Sequence, residues 1–228
     1  MTTETMLVTA VSPRRETATT NSGLLRAGLV GGPVFVALAV LQALTRPGFD
    51  ITRHPVSALT LGDAGWIQMA SFIGTGILTI IFAIGVRRVI RGQKASTFGP
   101  LLLAGFGVGL IIAGAFVPDP AFGFPAGAPA GMPTSISAHA ALHGVGLMLA
   151  FGSLVLAIAV LARRFASQGR RGLVAYSIAS AVVAFALAAG PSGEGASIRY
   201  AIAAAIAWAW VVVLAIRLSA DQRVEAAA

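Results

Sequence analysis

The 228-residue sequence contains no cysteine. Disulfides, thiolate metal centres and cysteine nucleophiles are therefore excluded, and nothing about redox compartment follows. Charge is also scarce: Asp, Glu, Lys and Arg together make up 11% of the chain, against roughly 25% in a soluble domain. Lysine is nearly missing, with Lys94 alone beside fifteen arginines, and there are only eight acidic residues. What the chain has in place of charge is apolar surface, with 57% hydrophobic residues and a mean hydropathy of +0.86. So little polar surface cannot coat a globule in water. A soluble enzyme, a secreted disulfide scaffold and a disordered regulator are ruled out.

The apolar residues fall into six runs: Leu24–Leu44, Trp66–Val86, Gly99–Val117, Ser137–Ala162, Gly172–Ala189 and Ile198–Leu218. At 1.5 Å per residue each is long enough to cross a ~30 Å hydrocarbon core as a helix with some tilt. Strands are excluded, because an open sheet edge cannot be satisfied in lipid. The expected fold is an all-α, polytopic bundle of six transmembrane helices. Residues 1–22 read as a disordered tail, 23–219 as the six-helix domain and 220–228 as a short second tail. The fifth run is the shortest and closes at Gly190-Pro191.

The net charge of +8 does not point to nucleic acid, because the arginines sit in short clusters between apolar runs. Counted on alternate sides of the runs, thirteen basic residues lie on the side of both termini and three (Arg46, Arg53, Arg199) on the other. That asymmetry places both termini in the cytoplasm of a multi-pass plasma-membrane protein. A weak internal repeat accompanies it, with Arg87-Arg88 and Arg163-Arg164 ending the second and fourth runs 76 residues apart.

No ionisable residue lies near the middle of a run, which argues against an ion-coupled pump. Mid-span polarity is limited to groups such as Thr75, Thr79, Ser153, Ser177 and Ser180, which suit local hydrogen bonds. Gly105 and Gly109, at i and i+4, suit close approach of a neighbouring helix rather than a nucleotide loop.

All three histidines lie on the arginine-poor side, with Asp50, Asp63, Asp119 and Glu194. In the loop at 50–66, Pro55 suits the first turn of a short helix whose Val56, Ala58, Leu59 and Leu61 lie on the membrane surface. Asp63 is placed to cap the second helix, and Trp66 suits the interfacial aromatic belt. The loop at 118–137, rich in proline, cannot be a regular helix; it reads as a lid or packed cap. His139 and His143 share one helical face, the spacing of paired metal ligands. With a third ligand from Asp119 or His54, and water, they would compose a zinc site. Arg53 and Arg199 are candidates for binding an anionic head group.

The run RHPVSALTLGDAGWIQMASF (53–72), with Gly74, FVPDPAFGFP (116–125) and His143, resembles the bacterial domain of unknown function 998 family. The likeness extends from the first run to the sixth. It implies a six-helix integral membrane protein and brings no activity or substrate. A looser likeness joins His54, Ser57, Asp119, His139 and His143 to the Ser, Asp and three-His set of the alkaline ceramidase and adiponectin-receptor-like membrane hydrolases. Those have seven spans with the paired histidines on the last, so only the chemistry transfers. Two functions follow as expectations. The first is binding or handling of a lipid or small apolar molecule at the arginine-poor rim. The alternative is a zinc-dependent hydrolase of a lipid amide or ester at that face.

Overall fold

The computed structural model describes residues 13–190 and 195–227, with side chains over 21–190 and 195–224. It contains six long helices: α1 (Pro13–Thr45), α2 (Gly65–Val89), α3 (Phe98–Ala115), α4 (Ala138–Ser167), α5 (Arg171–Ala189) and α6 (Ala196–Ala227). A 3-10 helix, Val56–Thr60, interrupts the first long loop. There is no strand among the described residues beyond one isolated bridge, Ala121 with Phe124. All six helices are long and apolar enough to cross a membrane, and the protein is a multi-pass membrane protein.

Sequence neighbours pack against one another in turn and α6 returns to α1, so the helices form a ring in chain order. The loops at 46–64 and 116–137 lie at one end, with the histidines; the loops at 90–97 and 168–170 lie at the other, with most of the arginines. The two ends are packed differently. Toward the arginine-rich end the interior is solid: Leu25, Phe82, Ile90, Leu103, Leu161, Trp210 and Leu214 are each 2% exposed or less. Trp210 donates its indole N–H to Ser177 at 3.0 Å, joining α6 to α5, and Thr79 donates to the Thr75 carbonyl at 2.8 Å. Of the mid-span hydroxyls, that of Thr79 thus bonds within its own helix and that of Ser177 to a neighbouring one.

Hydrocarbon offers no hydrophobic drive between helices, so close van der Waals contact carries the association. The α3 glycines supply it. A Cβ on Gly109 would lie 2.4 Å from the Ala150 backbone nitrogen of α4, and one on Gly107 would lie 2.6 Å from the Gly76 carbonyl of α2. The expected close approach at Gly105 and Gly109 is found, and α4 is the helix that makes it.

Several local expectations are corrected. Residues 13–22, read as tail, are helical and belong to α1. Residues 220–227 likewise continue α6. A formed membrane helix adds one bond per residue as it extends, so it propagates past the apolar run. The shortest helix is α3, with 18 residues against 19 in α5, because the chain leaves the helix at Phe116, ahead of Pro118. Asp63 is exposed and does not cap α2; the N-cap is Ala64, with no side-chain bond. Entry to α2 is set by Gly65, where a Cβ would lie 2.1 Å from the Thr60 carbonyl. Pro191 and Glu194 lie outside the described residues.

Candidate functional site

The histidine-bearing half of the ring is hollow. A cavity of about 970 Å³ lies among α1, α3, α4 and α6, with single contributions from α2 (Phe72) and α5 (Ala188). Its size falls near the top of the range for small-molecule pockets, roughly 300–1,000 Å³. Small residues make the room: Ala39, Ala43, Gly144, Ala201, Ala204 and Ala205 all line it. Four aromatics form its base. Phe35 meets Phe72 edge-on at 5.0 Å, and Trp208 packs between Phe35 at 6.0 Å and Phe106 at 5.0 Å. Leu44 and Met148 also line it and are 81% and 77% exposed, so the cavity is open rather than sealed. Ile51, Pro55, Val56 and Ser57 border it at the loop end. Its walls offer apolar contact and almost no titratable chemistry.

Above it sits a cap built from the two long loops. Arg46, just past α1, donates to the carbonyls of Leu59 (3.2 Å) and Leu61, and its guanidinium stands 5.5 Å over the Phe124 ring. Ala58, Leu61 and Phe124 form a small buried cluster with Phe49 and Val117. The 3-10 helix therefore does not lie on a membrane surface: Leu59 is fully buried, and Ala58 and Leu61 are buried too. Their apolar face meets the second loop, which covers it first.

His54 is the clip between the loops. It is 3% exposed, its Nδ1 accepts the Asp50 backbone N–H at 2.9 Å, and its Nε2 lies 3.1 Å from the Phe122 carbonyl. A carbonyl only accepts, so the proton sits on Nε2 and both nitrogens are spent. Phe49 and Phe124 flank the ring at 5.5 and 5.3 Å. Phe122 holds its carbonyl in place from a left-handed backbone, φ +55°, a conformation unfavourable for a bulky side chain and maintained by surrounding bonds.

The other proposed zinc ligands separate. His143 is 4% exposed and its Nδ1 lies 2.8 Å from the Ala113 carbonyl and 2.9 Å from that of Phe116. It satisfies acceptors that the C-terminal turn of α3 leaves open. Its Nε2 has no partner among the described residues. His139, one turn nearer the loop, is exposed and packs against Phe116 at 5.4 Å. Asp119 partners Ser137, not His143: its carboxylate accepts the Ser137 backbone N–H at 2.9 Å, while the Ser137 hydroxyl accepts Ala140 N–H and caps α4. Hydrogen bonding by Ser137, hydroxyl first and backbone second, holds the Asp119 carboxyl below the usual carboxylate range. Asp50 is lowered in the same way by the Thr52 hydroxyl and N–H. Among the described residues no group of three His, Asp or Glu side chains is disposed to hold a metal. Asp119 is tied to the Ser137 amide, His54 and His143 to backbone groups of separate segments, and His139 is exposed.

Of the two candidate head-group arginines, Arg53 is exposed on the first loop. Arg199 donates to the Leu187 carbonyl at 2.9 Å and stands 5.9 Å over Tyr200, fastening α6 to the end of α5. Sequence reasoning missed both the cavity and Arg46. The signal for the first was the run of alanines at 201–209; for the second, an arginine followed at once by Pro47-Gly48.

No curated protein and no solved structure matches the chain. Residues 29–217, which reach into all six helices, match the family described as Protein of unknown function (DUF998), and the chain belongs to that family.

Proposed function

We propose that the protein binds a lipid or small apolar molecule in the cavity of its histidine-bearing half. The observation that carries this reading is the contrast between the two ends. Helices α1 to α4 and α6 pack solidly toward one end, whereas about 970 Å³ stays open among α1, α3, α4 and α6 at the other. Small side chains on three helices keep that space free, and aromatic rings close its base. An apolar guest would gain contact with those rings, while its polar end would meet Ser57 and the loop border.

Gly144 provides the test, since it lines the cavity and a Cβ there would meet nothing within 4 Å. Gly144→Phe fills the space without straining the backbone. A polyene fatty acid that fluoresces in apolar surroundings should bind the native protein and bind this variant about tenfold more weakly, a loss of ~1.4 kcal/mol. Helix content and melting temperature should not change. Equal affinity in both proteins would remove the cavity as the binding site.

The orientation completes the proposal: the histidine-bearing end faces outward from the plasma membrane and the termini lie in the cytoplasm. The charge count supports it, thirteen basic residues against three. Reporter fusions after residues 92 and 168 should report cytoplasm, and fusions after residues 60 and 128 the outside. An outside signal from either arginine-rich loop would overturn the assignment.

A further inference from the structure

A second cavity, of about 640 Å³, lies at the opposite end of the molecule between the start of α5 and the end of α6. Its walls change character along the helices. Toward the end of the bundle stand Arg170, Arg171, Arg217 and Asp221; farther along α5 and α6 lie Leu173, Tyr176 and Val213. Asp221 is neutralised in place, its carboxylate gripped by both Arg170 terminal nitrogens at 2.9 and 2.6 Å. Arg171 and Arg217 are exposed, so the charged end carries two cations beyond that pair. From Asp221 to Val213 is eight residues of helix, about 12 Å along the axis. Over that distance the cavity passes from charged to apolar.

Such a gradient suits an amphiphile. A free anion would use only the charged end, and a purely apolar guest would use only the apolar one. The position agrees, because α5 is the least buried of the membrane helices, with 17% of its apolar window covered against 39% or more in the others. The cavity therefore sits on the lipid-facing side of the bundle at head-group level. We infer that it is a site for one anionic phospholipid, its phosphate between Arg171 and Arg217 and an acyl chain along Leu173 and Val213. Basic pockets between membrane helices recognise acidic lipid heads through this combination.

The test uses the full-length protein in detergent, with lipid retention read by native mass spectrometry and stability by thermal melting. The native chain should retain phosphatidylglycerol about tenfold over phosphatidylcholine and melt several degrees higher with it. Arg171→Gln/Arg217→Gln should lose that preference. Val213→Trp, which blocks the apolar wall and keeps both arginines, should lose retention too. Arg88→Gln/Arg91→Gln removes two exposed cations elsewhere at the same end and should keep the preference. Equal retention of the two lipids by the native chain would overturn the site, as would a preference surviving in Arg171→Gln/Arg217→Gln. Loss of preference in Arg88→Gln/Arg91→Gln would reduce the effect to bulk surface charge and overturn it as well. Inorganic phosphate reproducing the full melting shift would overturn the lipid assignment. These results do not depend on the first cavity, because Gly144→Phe leaves this end untouched.

Discussion

Replacing Gly109 with valine should prevent the bundle from assembling, read as loss of monodisperse protein after detergent extraction. The ideal Cβ would stand 2.4 Å from the Ala150 nitrogen and 2.6 Å from the Gly146 carbonyl. Both atoms belong to the backbone of α4, so no side chain can swing aside. The facing glycine shows the same constraint, since a Cβ on Gly146 would stand 2.7 Å from the Ala113 nitrogen. Relief requires α3 and α4 to separate, and with them the seam on which His143 reaches the α3 carbonyls. Overpacking a well-fitted interior costs roughly 1–3 kcal/mol, and a backbone-to-backbone clash belongs at or above the top of that range. Gly152→Ala on α4, where a Cβ meets nothing within 4 Å, should be indistinguishable from the native protein. If Gly109→Val extracts and melts like Gly152→Ala, the close approach is not holding the seam.

How much of this was legible beforehand differs between the fold and the site. The membrane helices were readable because length and apolarity are properties of each segment alone, and the bilayer fixes what they mean. The roles of Gly105 and Gly109 were readable for the same reason: small residues one turn apart on a lipid-length helix have few other uses. The histidines were not readable. Spacing put His139 and His143 on one helical face, but where α3 ends decides their fates. One turn of α4 separates a ring that meets the open carbonyls of Ala113 and Phe116 from one left exposed beside Phe116. Asp119 was read as a third ligand beside His139 and His143, whereas its carboxylate accepts the amide that opens α4. The cavity was illegible for a different reason. An alanine against a neighbour and an alanine facing empty space look the same in sequence; only the ring arrangement separates Ala203, fully buried, from Ala204 and Ala205 on the wall of the void.

Arg46→Ala should open the cap. One guanidinium ties three parts of the chain together: the end of α1 that carries it, the carbonyls of Leu59 in the 3-10 helix and Leu61 just past it, and the Phe124 ring from the second loop. Its removal leaves two carbonyls without their charged donor and takes the cation from the face of a buried ring. Charged hydrogen bonds contribute roughly 1.5–3 kcal/mol each and a shielded cation–π contact up to ~2 kcal/mol. These terms are not additive, and a total near ~3 kcal/mol is expected for the cap. Because the cap is a local unit, the loss should appear as local opening more than as global unfolding. Protease added at the histidine-bearing face should cut within 55–62 and 121–130 in Arg46→Ala vesicles and spare the native protein. Arg46→Lys should not restore protection, since a single ammonium cannot reproduce a planar fork spanning two carbonyls and a ring face. His54→Ala should open the second loop by releasing the Phe122 carbonyl, while Arg46 still holds the 3-10 helix. Cleavage at 121–130 alone in His54→Ala, and at both segments in Arg46→Ala, would separate the clip from the hub. Protection of both segments in Arg46→Ala would show that apolar packing of Leu59, Leu61 and Phe124 suffices, and the hub role would fall.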